Sequence, residues 1–225
     1  MRDLGVVTLT PSCSLPSLYG ACHEEPYTPG GKGFGAYPKT KGPWGWQLRG
    51  RPGIYWLRLL RGTGVFLTDA VAAFADALCR EALTLAEEGA HGEEAVRLVG
   101  HLRTAGPSLL DEVTDELAAL GGGPPEGAYA LEQVSAVVSR EVVLEGDGHH
   151  RHTTELRRWH QLQEAPTAAV GGAGALLVAG VRAAVLAPER EARSWFSWPA
   201  SAELVEELVA EGRLVRPEPG WLATQ

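Results

Sequence analysis

The stretch "EVVLEGDGHHRHTTELRRW" (141–159) limits what this chain can fold into more than any other. Two runs rich in β-branched residues flank a Gly-Asp-Gly at 146–148, which forces a reversal into a short hairpin. Helical patterns precede it. Thr68-Asp69 offers an N-cap for a helix over 69–88, and Gly89 a stop. A second helix is expected at about 92–104. A third is expected over 108–120, with Ser108 as N-cap, Asp111 and Glu112 in its first turn and Gly121 after its end. Apolar residues at 131, 134, 137 and 138 space a further amphipathic helix over 129–141.

The same order recurs downstream. "AGALLVAGVRAAVL" (173–186) reads as an apolar helix. "PEREARSWFSWP" (188–199) begins with Pro at a helix start and ends before Pro199. "SAELVEELVAEGRLVRPEPGWLAT" (201–224) gives a capped helix, Gly212, and a closing hairpin. Helices followed by a β-hairpin, met twice, predict an α+β, mainly α chain of tandem winged-helix units. The expected division is 1–68, 69–164 and 165–225. The first part is rich in Gly, Pro and aromatics. Its "GGKGFGAYPKTKGPWGW" (30–46) reads as a long connection, and its "WQLRGRPGIYWLRLL" (46–60) as extended segments around a turn at 51–53.

Charge singles out that first part. The net charge is −8, the wrong sign for a nucleic-acid binder. Between Pro26 and Thr68, however, stand Lys32, Lys39, Lys41, Arg49, Arg51, Arg58 and Arg61, with no Asp or Glu. From 69 onward, 12 arginines face 25 acids. So pure a basic stretch in an acidic chain suits a polyanion-facing surface; the alternative is a basic loop that pairs with the acidic remainder of the same protein. No N-terminal signal pattern and no run of about 18 apolar residues is present, which gives the expectation of a soluble, cytoplasmic protein without a membrane partner. Three cysteines, with no CxxC pair, argue against a disulfide framework and a Cys-based zinc site.

Three stretches carry a family resemblance: "WQLRGRPGIYWLRLL" (46–60), "LRTAGPSLLDEVTDELAAL" (102–120) and "VRAAVLAPEREARSWFSWPASAELVEELV" (181–209). They are similar, in that order, to an aromatic-x-Leu-Arg-Gly segment, a Gly-Pro helix opening, and an aromatic pair followed by an apolar-Pro step. Those segments belong to the winged-helix DNA glycosylases of the AlkZ/YcaQ type. The resemblance spans some 180 residues and implies tandem winged-helix units around a DNA channel. It further implies hydrolysis of the N-glycosidic bond of alkylated or bulky-adduct bases, in DNA repair or self-resistance. The family keeps a catalytic Gln-x-Gln or Gln-x-Asp upstream of the Leu-Arg-Gly segment. Here no Gln precedes Gln47, and "CHEE" (22–25) stands at that distance, so the resemblance puts His23 and Glu25 in the catalytic places. The literal Gln161-Leu162-Gln163 lies at the junction of the second and third parts, away from that place.

The chemistry needs little more. Breaking an N-glycosidic bond develops oxocarbenium character, which a carboxylate stabilises while it or a neighbour orients water. In an extended segment His23 and Glu25, two apart, face one side. Duplex contacts are expected from Lys32, Lys39, Lys41, Arg49, Arg51, His149 and Arg151, with Tyr55 and Trp56 placed to stack on a base or to pack in the core. The "GDGHHRH" cluster (146–152) is open to three readings: an ordinary hairpin tip, a phosphate contact or a metal site. Its spacing fits no standard structural zinc pattern, so no metal and no cofactor is expected. Two further functions stay open: a small-molecule enzyme reusing the same scaffold, and a non-catalytic winged-helix DNA-binding regulator.

Overall fold

A computed structural model describes residues 3–21, 41–49, 51–119, 126–146, 149–162 and 171–225. Over these residues the chain is α+β, with eight helices and three small antiparallel sheets. None of these helices is long and apolar enough to cross a membrane. The described residues cluster into two compact units. One lies within Met1–Trp56, Gly64–Ala75 and Ala168–Gln225, the other within Leu57–Thr63 and Asp76–Thr167. Most of the first and third parts of the sequence contribute to one unit and most of the middle to the other, but Leu57–Thr63 of the first part falls in the middle unit and Asp69–Ala75 of the middle part in the other.

The middle unit follows the order that the sequence shows best. Helices α2 (Asp69–Glu87) and α3 (Glu93–Ala105) match the stretches expected at 69–88 and 92–104. Strand β4 (Ser108–Leu109), α4 (Leu110–Ala119) and α5 (Glu126–Gln133) come next, then the long hairpin β5 (Val137–Gly146) and β6 (His149–Arg158). The sheet order is β4-β6-β5. Its register pairs Ser108 with Leu156 and Val137 with Arg158. Leu98, Leu102, Val113, Leu131, Val137 and Leu156 fill one core.

Two expectations fail here for local reasons. Ser108 is not an N-cap. Its Oγ donates to the Gly106 carbonyl and meets His101 Nε2 at 3.1 Å, while Glu112 reaches back to accept from the Leu109 N–H at 3.2 Å. The helix expected over 129–141 stops at Gln133, because Ser135 takes a positive φ of 48° and the Ala136 N–H closes onto the Leu131 carbonyl. Val137 and Val138 thus enter a strand, the state that β-branched residues favour.

A buried hydrogen-bond cluster ties the hairpin's end to the helices. Trp159 is wholly buried. Its indole N–H donates to Asp76 on α2 at 2.7 Å, and Arg80 Nε donates to both oxygens of the same carboxylate at 3.0 and 2.9 Å. Arg158 pairs with Glu87. Gln161 accepts from the Arg158 N–H and donates to the Leu102 carbonyl, so one glutamine of the Gln-x-Gln pattern is spent on a structural bridge.

The other unit joins distant segments. Strand β1 (Val6–Thr8) pairs with β3 (Thr63–Thr68), which also pairs with β2 (Ile54–Leu60), giving the order β1-β3-β2, of which Leu57–Thr63 is counted in the middle unit. Arg61 and Gly62, both at positive φ, make the two-residue turn between β2 and β3. After 171 come α6 (Ala173–Ala184), β7 (Leu186–Pro188), α7 (Glu189–Ala192), α8 (Ala202–Ala210) and β8 (Trp221–Ala223). Ser201 caps α8 as expected, accepting from the Leu204 N–H at 3.1 Å. The hairpin expected over 213–224 closes only at Val215 and Ala223, and β8 pairs instead with β7. Glu191 Oε1 accepts from the Ser14 N–H at 2.8 Å and from the Trp195 indole at 3.0 Å, so one carboxylate holds the first segment to the last. The Gly172 N–H adds a 2.7 Å bond to the Phe74 carbonyl.

Loss of the Asp76 carboxylate leaves an indole N–H buried without an acceptor. Asp76→Ala is therefore expected to cost about 2–4 kcal/mol of stability in urea unfolding. Asp76→Asn, which keeps an acceptor oxygen, should cost less, and Arg80→Ala, at a half-exposed partner, under about 1 kcal/mol.

Candidate nucleic-acid interface

The basic stretch does not run extended throughout. Residues 41–49, expected as connection and strand, form the helix α1 (Lys41–Arg49). Its glycines and Pro43 hide the helical pattern. Pro43 sits in the first turn, where a missing N–H leaves no bond unmade. Gly45 lies against the rest of its unit, and a Cβ built on it would stand 3.0 Å from Leu9 Cδ1. The helix can thus approach Leu9 with backbone alone.

After α1 the chain turns through Arg51–Gly53 into β2. Gly53 takes a positive φ of 76°, its carbonyl accepts from the Asp69 N–H at 3.1 Å, and a Cβ there would meet the Asp69 carboxylate at 2.9 Å. On β2, Trp56 lies against Phe66 with ring centroids 4.4 Å apart and planes tilted by 48°. Gly64 makes room for that indole; a Cβ at Gly64 would stand 1.9 Å from the ring. The Arg49 guanidinium lies over Trp56 at 4.5 Å and over Trp46 at 4.9 Å. Each such contact is worth about 0.5–1 kcal/mol at an exposed site.

This geometry sorts the residues expected to bind. His23, Glu25, Lys32 and Lys39 lie outside the described residues. Lys41 opens α1. Arg49 is engaged by two indoles, and Arg51 is exposed on the turn. Tyr55 is half-buried, and Trp56 is held by Arg49, Phe66 and the Gly64 backbone. Of the other basic residues, Arg58, itself in the middle unit, pairs at 2.5 Å with Glu132 of that unit and lies 5.7 Å from the Tyr129 ring. Burial pushes the Glu132 carboxyl up, with Arg58 opposing it. In the hairpin, His149 stands opposite Gly146 at the first position of β6. Arg151 binds Asp111 of α4 at 3.0 Å, and His152 meets Glu141 at 2.9 Å. Both pairs are largely exposed and contribute little to stability, but Asp111 offsets the charge that Arg151 would offer a phosphate.

Two side chains escaped the sequence reading. Trp44 and Trp46 are 45% and 47% exposed on α1, inside the stretch free of acids. The "WGW" flanked by Pro and Gly was the available signal. Other chemistry is limited. No three metal-ligating side chains come together among the described residues. Burial raises the Cys79 thiol well above its ordinary value, so it is a poor nucleophile. A cleft of about 480 Å³ opens in the unit that holds β1 and α6, with Val71, Phe74 and Val178 among its apolar walls and Asp3, Arg182 and Arg213 among its charged ones.

No protein-family model matches this chain, and no curated protein and no solved structure proves similar to it.

The close fit of Trp56 over Gly64 makes a specific demand. Gly64→Ala should cost about 1–3 kcal/mol, as overpacking does, and much less in a Trp56→Ala background where the ring is gone. A double-mutant cycle in urea unfolding checks this.

Proposed function

We propose that this protein is a DNA glycosylase-like enzyme of tandem winged-helix organisation, acting in the cytoplasm on alkylated or bulky-adduct bases in double-stranded DNA. The observation that carries the reading is the recurrence of one strand pairing. In β4-β6-β5 and β1-β3-β2 the first strand in sequence lies beside the last strand of a following hairpin. In β7-β8, with Val215 bridged to Ala223, the same arrangement returns in reduced form. Between first strand and hairpin stand α4 and α5 in one case and α7 and α8 in another. A strand, two helices and a hairpin sharing one sheet is the order of a winged helix.

The basic stretch supports a polyanionic partner, with Lys32, Lys39, Lys41 and Arg51 as its proposed phosphate contacts. His23 and Glu25 are the proposed catalytic pair. In the proposed step, the oxygen of a water bonds to the anomeric carbon as the bond from that carbon to the base breaks. A cationic alkylated base leaves neutral with the bonding electrons. Glu25 stabilises the sugar's developing positive charge, and the proton released by the water passes to the Glu25–His23 pair. A carboxylate and a water-orienting neighbour suffice because such a base needs no added proton.

The cleft of about 480 Å³ favours a second reading. Its apolar walls and the two guanidinium groups of Arg182 and Arg213 suit a small molecule with an apolar body and an anionic group, and so a small-molecule enzyme built on the same scaffold.

Incubation with methylated duplex DNA, followed by detection of free base and abasic sites, tests the first reading. Wild type should release base, Glu25→Gln should abolish release, and His23→Ala should slow it about 10²–10⁴-fold. Equal release by all three proteins removes these residues from the site. No release by any, with DNA binding retained, selects the non-catalytic regulator.

A further inference from the structure

Helix α1 leaves two indoles half-exposed, only one of which, Trp46, carries the Arg49 guanidinium. Successive residues of a helix point about 100° apart. With Gly45 turned toward Leu9, Trp44 and Trp46 fall on either flank of the buried line. Each keeps nearly half of its surface exposed among the described residues. A single exposed aromatic side chain is ordinary, but two half-exposed tryptophans on one nine-residue helix, one on each flank, offer two separate aromatic faces to a partner.

The surroundings select the partner. Both tryptophans lie in a stretch of sequence with seven basic residues and no acid, and Arg51 is exposed on the turn that follows α1. Aromatic faces beside cations, without carboxylates, complement a strand of phosphates carrying flat bases. An indole reaches the face of a base only where that base has left the stack, because in a closed duplex each face covers its neighbour. Arg49, lying over Trp46, also orients that indole from one side. The covered contacts of Trp56 make it the support and leave Trp44 and Trp46 as the contact surface.

We propose that Trp44 and Trp46, one on each flank of α1, each stack on an unpaired or unstacked nucleotide, with Arg51 holding a phosphate of the same strand. The site rests on the nucleic-acid half of the function proposed above and does not depend on His23 or Glu25.

The test uses the full chain in anisotropy titrations at low salt, against a labelled single-stranded 15-mer, its fully paired duplex, and a duplex with a central unpaired bubble. Trp44→Ala and Trp46→Ala should each weaken binding to the single strand and the bubble about 5- to 100-fold, the loss expected for one stacked base. Binding to the closed duplex should change less than about twofold. Trp44→Phe and Trp46→Phe, which keep an aromatic face, should retain most of the affinity, and their retention separates a lost stack from a misfolded helix. Arg51→Ala should weaken all three complexes together. If both alanine variants bind single strand and bubble as wild type does, the site is overturned while the function stands. If the phenylalanine variants lose as much as the alanine variants, stacking is overturned. If wild type binds no DNA in any form, the proposed function falls as well. Loss of binding to anionic lipid vesicles in the same variants, without loss on DNA, would assign the two indoles to a membrane surface instead.

Discussion

Each compact unit is built on a buried indole N–H that must find an acceptor. In the middle unit Trp159 donates to Asp76, and in the other Trp195 donates to Glu191. A large aromatic ring supplies apolar burial, but its one polar atom costs about 1–3 kcal/mol if left unpaired. The matching carboxylate is itself costly to bury, so it must collect further donors. Asp76 takes Arg80, and Glu191 takes the Ser14 N–H. These secondary partners give the interaction its reach. Through Glu191 the segment near residue 14 is joined to one near 195, two sequence-distant parts of one unit. Through Asp76 the end of the β5–β6 hairpin is fixed to α2.

Once those units are set, the positive charge of the first part is divided, among the described residues, between internal partners and solvent. Arg58 is committed to Glu132, and Arg49 to the rings of Trp46 and Trp56. Arg151 of the hairpin is met by Asp111. Arg51 faces solvent on the turn that follows α1. Among the described residues the basic stretch is therefore not wholly an internal counterion. The proposed function draws on the part that packing leaves over, and the proposed stacking site draws on the apolar side chains within it.

What could be read in the sequence followed the strength of the local signal. Helix α2 showed through a clear cap and a terminal Gly, α8 through Ser201, and the hairpin through Gly-Asp-Gly. Where a tertiary choice overrode pattern, the reading failed. Val137 and Val138 fit a helical spacing as well as a strand, and the left-handed Ser135 that decides between them carries no glycine to announce it. The Arg61–Gly62 turn hid its first residue in the same way. Helix α1 was concealed by the Gly and Pro residues that let it dock, and with it went the exposure of Trp44 and Trp46. The basic run placed Arg49 among the phosphate contacts, while the structure shows it stacked on Trp46 and Trp56, a difference set by a helix that the pattern did not show and by a β2 indole. His23 and Glu25 stand on the resemblance and their chemistry alone, since they lie outside the described residues.

The central claim is that an acidic protein turns a basic surface toward DNA. Salt dependence of duplex binding tests it most directly. Four phosphate contacts, from Lys32, Lys39, Lys41 and Arg51, would give a log–log slope of about −3 to −4, and exchanging those four residues for Gln should flatten it. A duplex affinity that ignores salt, or no binding at about 50 mM salt, would contradict the account.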